Sequence, residues 1–224
     1  MYNLDFSILY NSLPDIINGL KITLIISVVS SFFAFVIGIL LAFMRNTEIP
    51  VIRFFATTYV ELLRNIPLLI ILYLFYKGLS NIGFNLSSIM CGILALSLYT
   101  GAFISEVLRS GINSIAHEQY EAAFGLGLTR LQAFKMVIFP QAIRIILPPL
   151  GSQFINLIKN SSLVSFIAVT DLFYVVYKGA VDDFRIFEFF IIGAVIYMFL
   201  TGTVAILTNL IECYLKIPGR TAKI

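Results

Sequence analysis

From Ile22 to Met44 the chain runs 23 residues without a charge, about the length that one helix needs to cross the apolar core of a bilayer. Inside that core no water is present to satisfy the backbone, so the run must be helical or belong to a closed barrel. Four further apolar stretches of similar length follow, and none shows the period-two alternation of a barrel strand. The expected fold is therefore an all-α integral membrane protein with about five transmembrane helices, at 22–44, 54–79, 89–107, 147–169 and 189–211. Composition agrees: 59% of the 224 residues are hydrophobic, 12% are charged, and the mean hydropathy is +0.97. A chain of this size has no room for a separate nucleotide-binding or ligand-binding domain as well. In the first run Ser30, Ala34, Gly38 and Ala42 recur at every fourth position, a ladder of small side chains that suits close helix packing.

Residues 1–18 mix apolar and polar positions and are expected to form a short interfacial helix. A secretory leader places a basic residue ahead of its apolar core, whereas the first one here is Lys21, so this segment is expected to be retained. Orientation follows from the bases. With the N-terminus outside, nine lie on inner segments: Arg45, Arg53, Arg109, Arg130, Lys135, Arg144, Lys216, Arg220 and Lys223. Only Lys21, Lys77, Lys178 and Arg185 fall on the outer side. The C-terminal tail, 213–224, is then cytoplasmic. A net charge of +3 spread in this way reflects membrane topology and implies no nucleic-acid partner. Cys91 and Cys213 are far apart in sequence and suggest neither a disulfide framework nor a metal site.

Polar residues inside apolar runs mark candidate sites. Glu61 and Arg64 are three apart and can pair on one helical face, as a structural ion pair or on a pathway. Pro67 interrupts the second run and frees backbone groups that must be satisfied inside protein or by a cavity. In the fourth run Lys159, Asn160, Ser161 and Ser162 form a polar block at mid-span. They either face a cavity, or the serines bond back to the helix while Lys159 snorkels or meets an acid. The segment 170–188 is expected to be the longest outer loop, with four acids against two bases.

The segment Glu121 to Pro140, EAAFGLGLTRLQAFKMVIFP, has a different character. A helix starting near Ser114 is expected to end at Gly125 and Gly127. A second begins at Thr129, whose spacing to Gln132 fits a capping box, and Pro140 is expected to close it. Glu121, Ala122 and Ala123, then Gly127, then Val137, Phe139 and Pro140, resemble the EAA loop of permease subunits from ATP-binding-cassette importers. That family's pattern reads EAA, three residues, G, nine residues, I, one residue, LP. Val137 and Phe139 depart conservatively from its I and L. Beyond this loop (110–140), the stretches Gly19-Leu20, Glu61 to Leu69, Gly101 to Glu106 and Lys159 to Leu163 are similar to permeases of the polar amino acid uptake group.

The resemblance implies a type I importer permease domain over 19–212 in a bacterial inner membrane. It implies a second permease subunit, identical or related, two ATPase subunits and an extracytoplasmic amino-acid-binding protein. Glu121, Ala122, Ala123 and Gly127 would be the ATPase-docking residues, and Leu68 and Asn160 would lie on the substrate path beside Lys159, Ser161 and Ser162. No cofactor is implied for this chain; ATP would be bound by the partner, since the chain lacks a GxxxxGK[ST] loop and has a single histidine, His117. The absence of an acid near Asn160 favours an uncharged or acidic amino acid, glutamine or glutamate ahead of cystine, histidine or arginine. The acidic outer segment is a candidate contact for the binding protein or simply a solvated loop. A secondary carrier or channel could also use Lys159 and the Glu61–Arg64 pair, but would leave the Glu121 loop without a purpose.

Overall fold

A computed structural model describes residues 4–215, and every regular element among them is helical. The tail bases Lys216, Arg220 and Lys223 lie outside the described residues. In chain order the helices are α1 (Leu9–Arg45), α2 (Pro50–Asn65), α3 (Leu68–Tyr73), α4 (Leu79–Asn81) and α5 (Ser88–Asn113). These are followed by α6 (His117–Gly125), α7 (Arg130–Ala133), α8 (Phe139–Ser161), α9 (Leu172–Asp182) and α10 (Ile186–Leu215). Four helical stretches are long and apolar enough to cross a membrane, and α2 with α3 and α4 makes a fifth candidate.

α1 and α5 form the centre, and the small-residue ladder explains their contact. Ser30 and Ala34 are fully buried, and a Cβ placed on Gly38 would lie 2.5 Å from Ile104 Cγ2. Gly101 on α5 answers Gly38: a Cβ there would meet Ile37 at 2.8 Å and the Ala34 carbonyl at 3.2 Å. Each backbone therefore touches the other helix, as small residues permit. Around this seam Ile26, Leu72, Leu96 and Val164 join α1, α3, α5 and the turn after α8 in one buried cluster. Ile104, Ile138, Ala142 and Leu157 form a second cluster toward the other end.

Five features differ from the sequence expectation. After one 3-10 turn, Phe6–Ile8, α1 runs unbroken from Leu9, so the expected interfacial helix is continuous with the first span. α9 supplies the packing partner that an isolated interfacial helix would lack: Ile16 is buried with Leu172 and Val176, and a Cβ on Gly19 would sit 2.9 Å from the Asp171 carbonyl.

The expected span 54–79 is a pair of helices bent by 107°. Pro67 has no amide to continue α2, and Ile66 before it is extended (φ −99°, ψ 133°), the backbone that a following proline favours. The last turn of α2 stays bonded up to the break: Ile66 N donates to Leu62 O at 3.2 Å, and Asn65 Nδ2 adds a bond to Glu61 O at 2.7 Å.

Pro140 does not close a helix. A π turn over Phe134–Ile138 widens the backbone just ahead of it, and α7 continues through the turn into α8. The third span is also longer than expected, with α5 running to Asn113 and Ser114 capping its end.

Residues 170–188 are largely helical, not an open loop. Two of their four acids are fully buried, Asp171 and Glu188. Asp171 caps α9, accepting from the amides of Phe173 at 3.3 Å and Tyr174 at 3.0 Å. The Tyr197 hydroxyl donates to Asp171 Oδ2 at 3.5 Å, and Thr23 Oγ1 accepts from Leu172 N at 3.0 Å.

Burial pushes the Asp171 carboxyl up to about 6, against these hydrogen bonds. Its folded-state value thus lies above the ordinary carboxyl value, so the fold prefers the protonated form. That contribution is whole below about pH 4 and is lost as pH rises through about 6, a change of about 3 kcal/mol. Asp171→Asn is expected to flatten the fall in melting temperature of the detergent-solubilised permease between about pH 4 and pH 7. An unchanged slope would assign the pH dependence elsewhere.

Candidate functional site

The helix α6 ends in a Schellman motif. The Leu128 amide donates to the Ala123 carbonyl at 3.2 Å and the Gly127 amide donates to the Phe124 carbonyl at 2.9 Å. Gly127 closes it at φ +79°, a conformation open to glycine at little cost. Gly125 stays within the helix, which starts at His117 and not near Ser114. Thr129 then caps α7 in the expected box, its amide donating to Gln132 Oε1 at 2.9 Å while Gln132 N donates to Thr129 Oγ1 at 3.4 Å.

Of the motif residues Glu121, Ala122 and Gly127 are exposed, whereas Ala123 packs against its own chain. Glu121 Oε1 lies 3.2 Å from His117 Nδ1. Phe124 and Leu126 stand out beside it, Leu126 with 81% of its surface accessible. This helix pair thus offers a carboxylate, a small-residue patch and uncovered apolar side chains together, the makings of a docking surface.

A second site lies between α5 and α8. A cleft of about 290 Å³ is lined by Tyr99, Thr100 and Phe103 from α5 and by Gln153, Asn156 and Asn160 from α8. The three amides are spaced i, i+3 and i+7, so a helix sets them in one row. Opposite them Tyr99 and Phe103 pack at 5.0 Å between ring centroids. None of the six lining residues bears a carboxylate, ammonium or guanidinium.

The structure brings only one of the expected path residues to this cleft, Asn160. Leu68 is buried in the core beside Ile71 and Leu72. The polar block is not at mid-span: Ser161 ends α8 and a 3-10 turn, Ser162–Ile167, follows. Both serines bond back, Ser161 Oγ to Ile158 O at 2.8 Å and Ser162 Oγ to Lys159 O at 2.7 Å. Lys159 is exposed.

Glu61 and Arg64 do approach, at 3.7 Å, but as the rim of a larger group. Its centre is Glu106, which takes Arg109 at 2.7 Å, Arg45 at 2.8 Å and Arg64 at 3.3 Å. The Arg45 side chain is 5% exposed, and a guanidinium so enclosed requires such partners. At the opposite end of the bundle a wider cleft is lined by Asp15, Asn18, Tyr174, Lys178, Asp182 and Asp183, among others.

The family described as "Binding-protein-dependent transport system inner membrane component" matches residues 34–213. The chain belongs to that family. It is 41% identical over 209 residues to the probable glutamine ABC transporter permease protein GlnM of Bacillus subtilis, covering 93% of this chain and 97% of the relative. It is 31% identical to the nopaline transport system permease protein NocM of Agrobacterium fabrum, covering 99% and 95%.

Among solved structures, an amino acid ABC transporter with histidines superimposes with a TM-score of 0.89 at 36% identity, over 95% of this chain and 100% of that one. The MetNI methionine ABC transporter shares the fold, with a TM-score of 0.74 at 20% identity over 91% and 97%. This inner-membrane permease is thus an amino-acid ABC importer subunit with the type I fold.

Proposed function

We propose that this permease imports glutamine, driven by a separate ATPase that docks on α6 and α7. The observation that carries the substrate is the row of Gln153, Asn156 and Asn160 facing Tyr99 and Phe103 across a cleft without a charged side chain. A neutral amide substrate can satisfy such a row by paired donors and acceptors. A cationic side chain would need a carboxylate there, and an anionic one a cation, because an unpaired charge in that setting is costly. The name of the 41% identical relative points the same way.

Coupling follows from the chain path. α5 lines the cleft and is joined to α6 by a short turn at 114–116, so a movement of the docking helix would reach the cleft wall through that turn. ATP binding draws the two ATPases together, α6 moves with them, and the cleft opens to the other side. Each transporter then needs two permease subunits, two ATPases and an extracytoplasmic binding protein. That protein would rest near the cleft lined by Asp15, Lys178, Asp182 and Asp183.

Asn160→Asp tests the cleft. With the permease assembled in vesicles, unlabelled arginine or lysine is expected to become a competitor for uptake and glutamine to weaken by about tenfold, the loss of one matched polar contact. Unchanged selectivity would remove Asn160 from the substrate path.

A further inference from the structure

We propose that Glu106 is a positioning residue that sets the wall of the polar cleft by holding Arg64 over Phe103. The inference rests on reading that cleft as the substrate site. The Arg64 guanidinium carbon lies 5.7 Å from the centroid of the Phe103 ring, within the range of a cation–π contact. The same guanidinium reaches Glu106 Oε2 at 3.3 Å. Phe103 and Glu106 are three apart on α5, so one helical face presents both to Arg64. Phe103 in turn lines the cleft and packs on Tyr99.

The charge balance explains why Glu106 controls this contact. Arg45, Arg64 and Arg109 converge on a single carboxylate. Glu61 is the second acid, more distant at 3.7 Å from Arg64 and 4.0 Å from Arg45, and half exposed. Without the charge on Glu106, like charges are left together and one must move. Arg45 is enclosed at 5% exposure, whereas Arg64, at 33%, has a route to water. Arg64 therefore leaves, the Phe103 face is uncovered, and the ring gains freedom to close or widen the cleft. Arg109 and Ser110, which also bind Glu106, lie in the last turn of α5 before the docking helix. A movement of α6 thus meets this group before it reaches the cleft.

The test is a set of uptake curves for labelled glutamine with the assembled transporter in vesicles. Arg64→Met and Glu106→Gln are each expected to raise KM by about fivefold with the maximal rate within about twofold, and Arg64→Lys, which keeps a cation, to stay near wild type. Phe103→Leu is expected to raise KM as well, and adding Arg64→Met to it to change nothing further, because both act through one ring. A group that merely braces the fold would lower the amount of permease or the maximal rate, leave KM alone and show additive effects; that result overturns the proposal.

A second readout does not depend on the substrate. The chain contains no tryptophan, so F103W gives the full-length permease a single indole. Its emission is expected to shift when Glu106→Gln is added, and an unchanged spectrum overturns the proposal. Should the wild type take up no glutamine, the substrate reading of the cleft falls and the emission alone decides the link from Glu106 to Phe103.

Discussion

Glu121→Arg in the assembled transporter is expected to lower ATP-driven uptake by about a hundredfold, as inverting a charge in a docked interface does. The ATPase should also fail to stay with the permease on purification. The side chain is 68% exposed and, among the described residues, pairs with His117 on the same exposed helix, so the change removes nothing from the core. Arginine is also as good a helix former as glutamate. The permease itself should therefore reach the membrane at wild-type amounts. What changes is the surface: the carboxylate beside the exposed Ala122, Phe124 and Leu126 becomes a cation. Full uptake with the ATPase retained would detach α6 from the coupling role.

Gly38→Leu is expected to act by the opposite route, through the fold and not the interface. The Cβ alone would be 2.5 Å from Ile104 Cγ2, 2.7 Å from Ile104 Cβ and 3.2 Å from the Gly101 carbonyl, and leucine adds three further carbons. α1 and α5 are continuous for 37 and 26 residues, so neither can yield locally, and overpacking of this kind costs about 1–3 kcal/mol or more. The expected result is a melting temperature in detergent lower by several degrees and a much smaller monodisperse fraction. The same substitution at Gly202, where a Cβ would meet nothing within 4 Å, serves as the control. Equal melting temperatures for the two variants would show that the α1–α5 seam is looser than described.

The parts of this fold that could be read from sequence are those set by local chemistry. A run of 23 uncharged residues must cross the bilayer, Thr129 and Gln132 cap a helix wherever it packs, and Gly127 takes a positive φ because the chain must turn there. Pro67 was legible as a break, but its angle was not, since the direction of α3 is fixed by Leu68, Ile71 and Leu72 packing on α5. Pro140 misleads in the other direction. Its rule holds for an α-helix, and the π turn before it relieves the clash that the rule assumes.

The site followed the same division. Asn160 was visible as a polar residue in an apolar run, whereas Gln153 and Asn156 are visible only as its helical neighbours, at a spacing that could have been followed back along α8. Tyr99 and Thr100 carry no signal in sequence, and Phe103 shows only as part of the Gly101 to Glu106 stretch, because their place at the cleft depends on α5 lying against α8. Glu106 and Arg45 are 61 residues apart, and no local pattern pairs them. Asp171 and Glu188 read as solvated loop acids until α9 folds back onto α1 and buries them.

The proposed function is movement of glutamine at the expense of ATP. It is tested most directly by uptake of labelled glutamine into vesicles that hold the permease, its ATPase and its binding protein, with unlabelled glutamine, glutamate, histidine, arginine or cystine in excess. The expected result is saturable uptake that requires ATP, is silenced by glutamine and is left unaffected by arginine. Entry without ATP, no saturable uptake of glutamine, or uptake that arginine silences as fully as glutamine does, would contradict it.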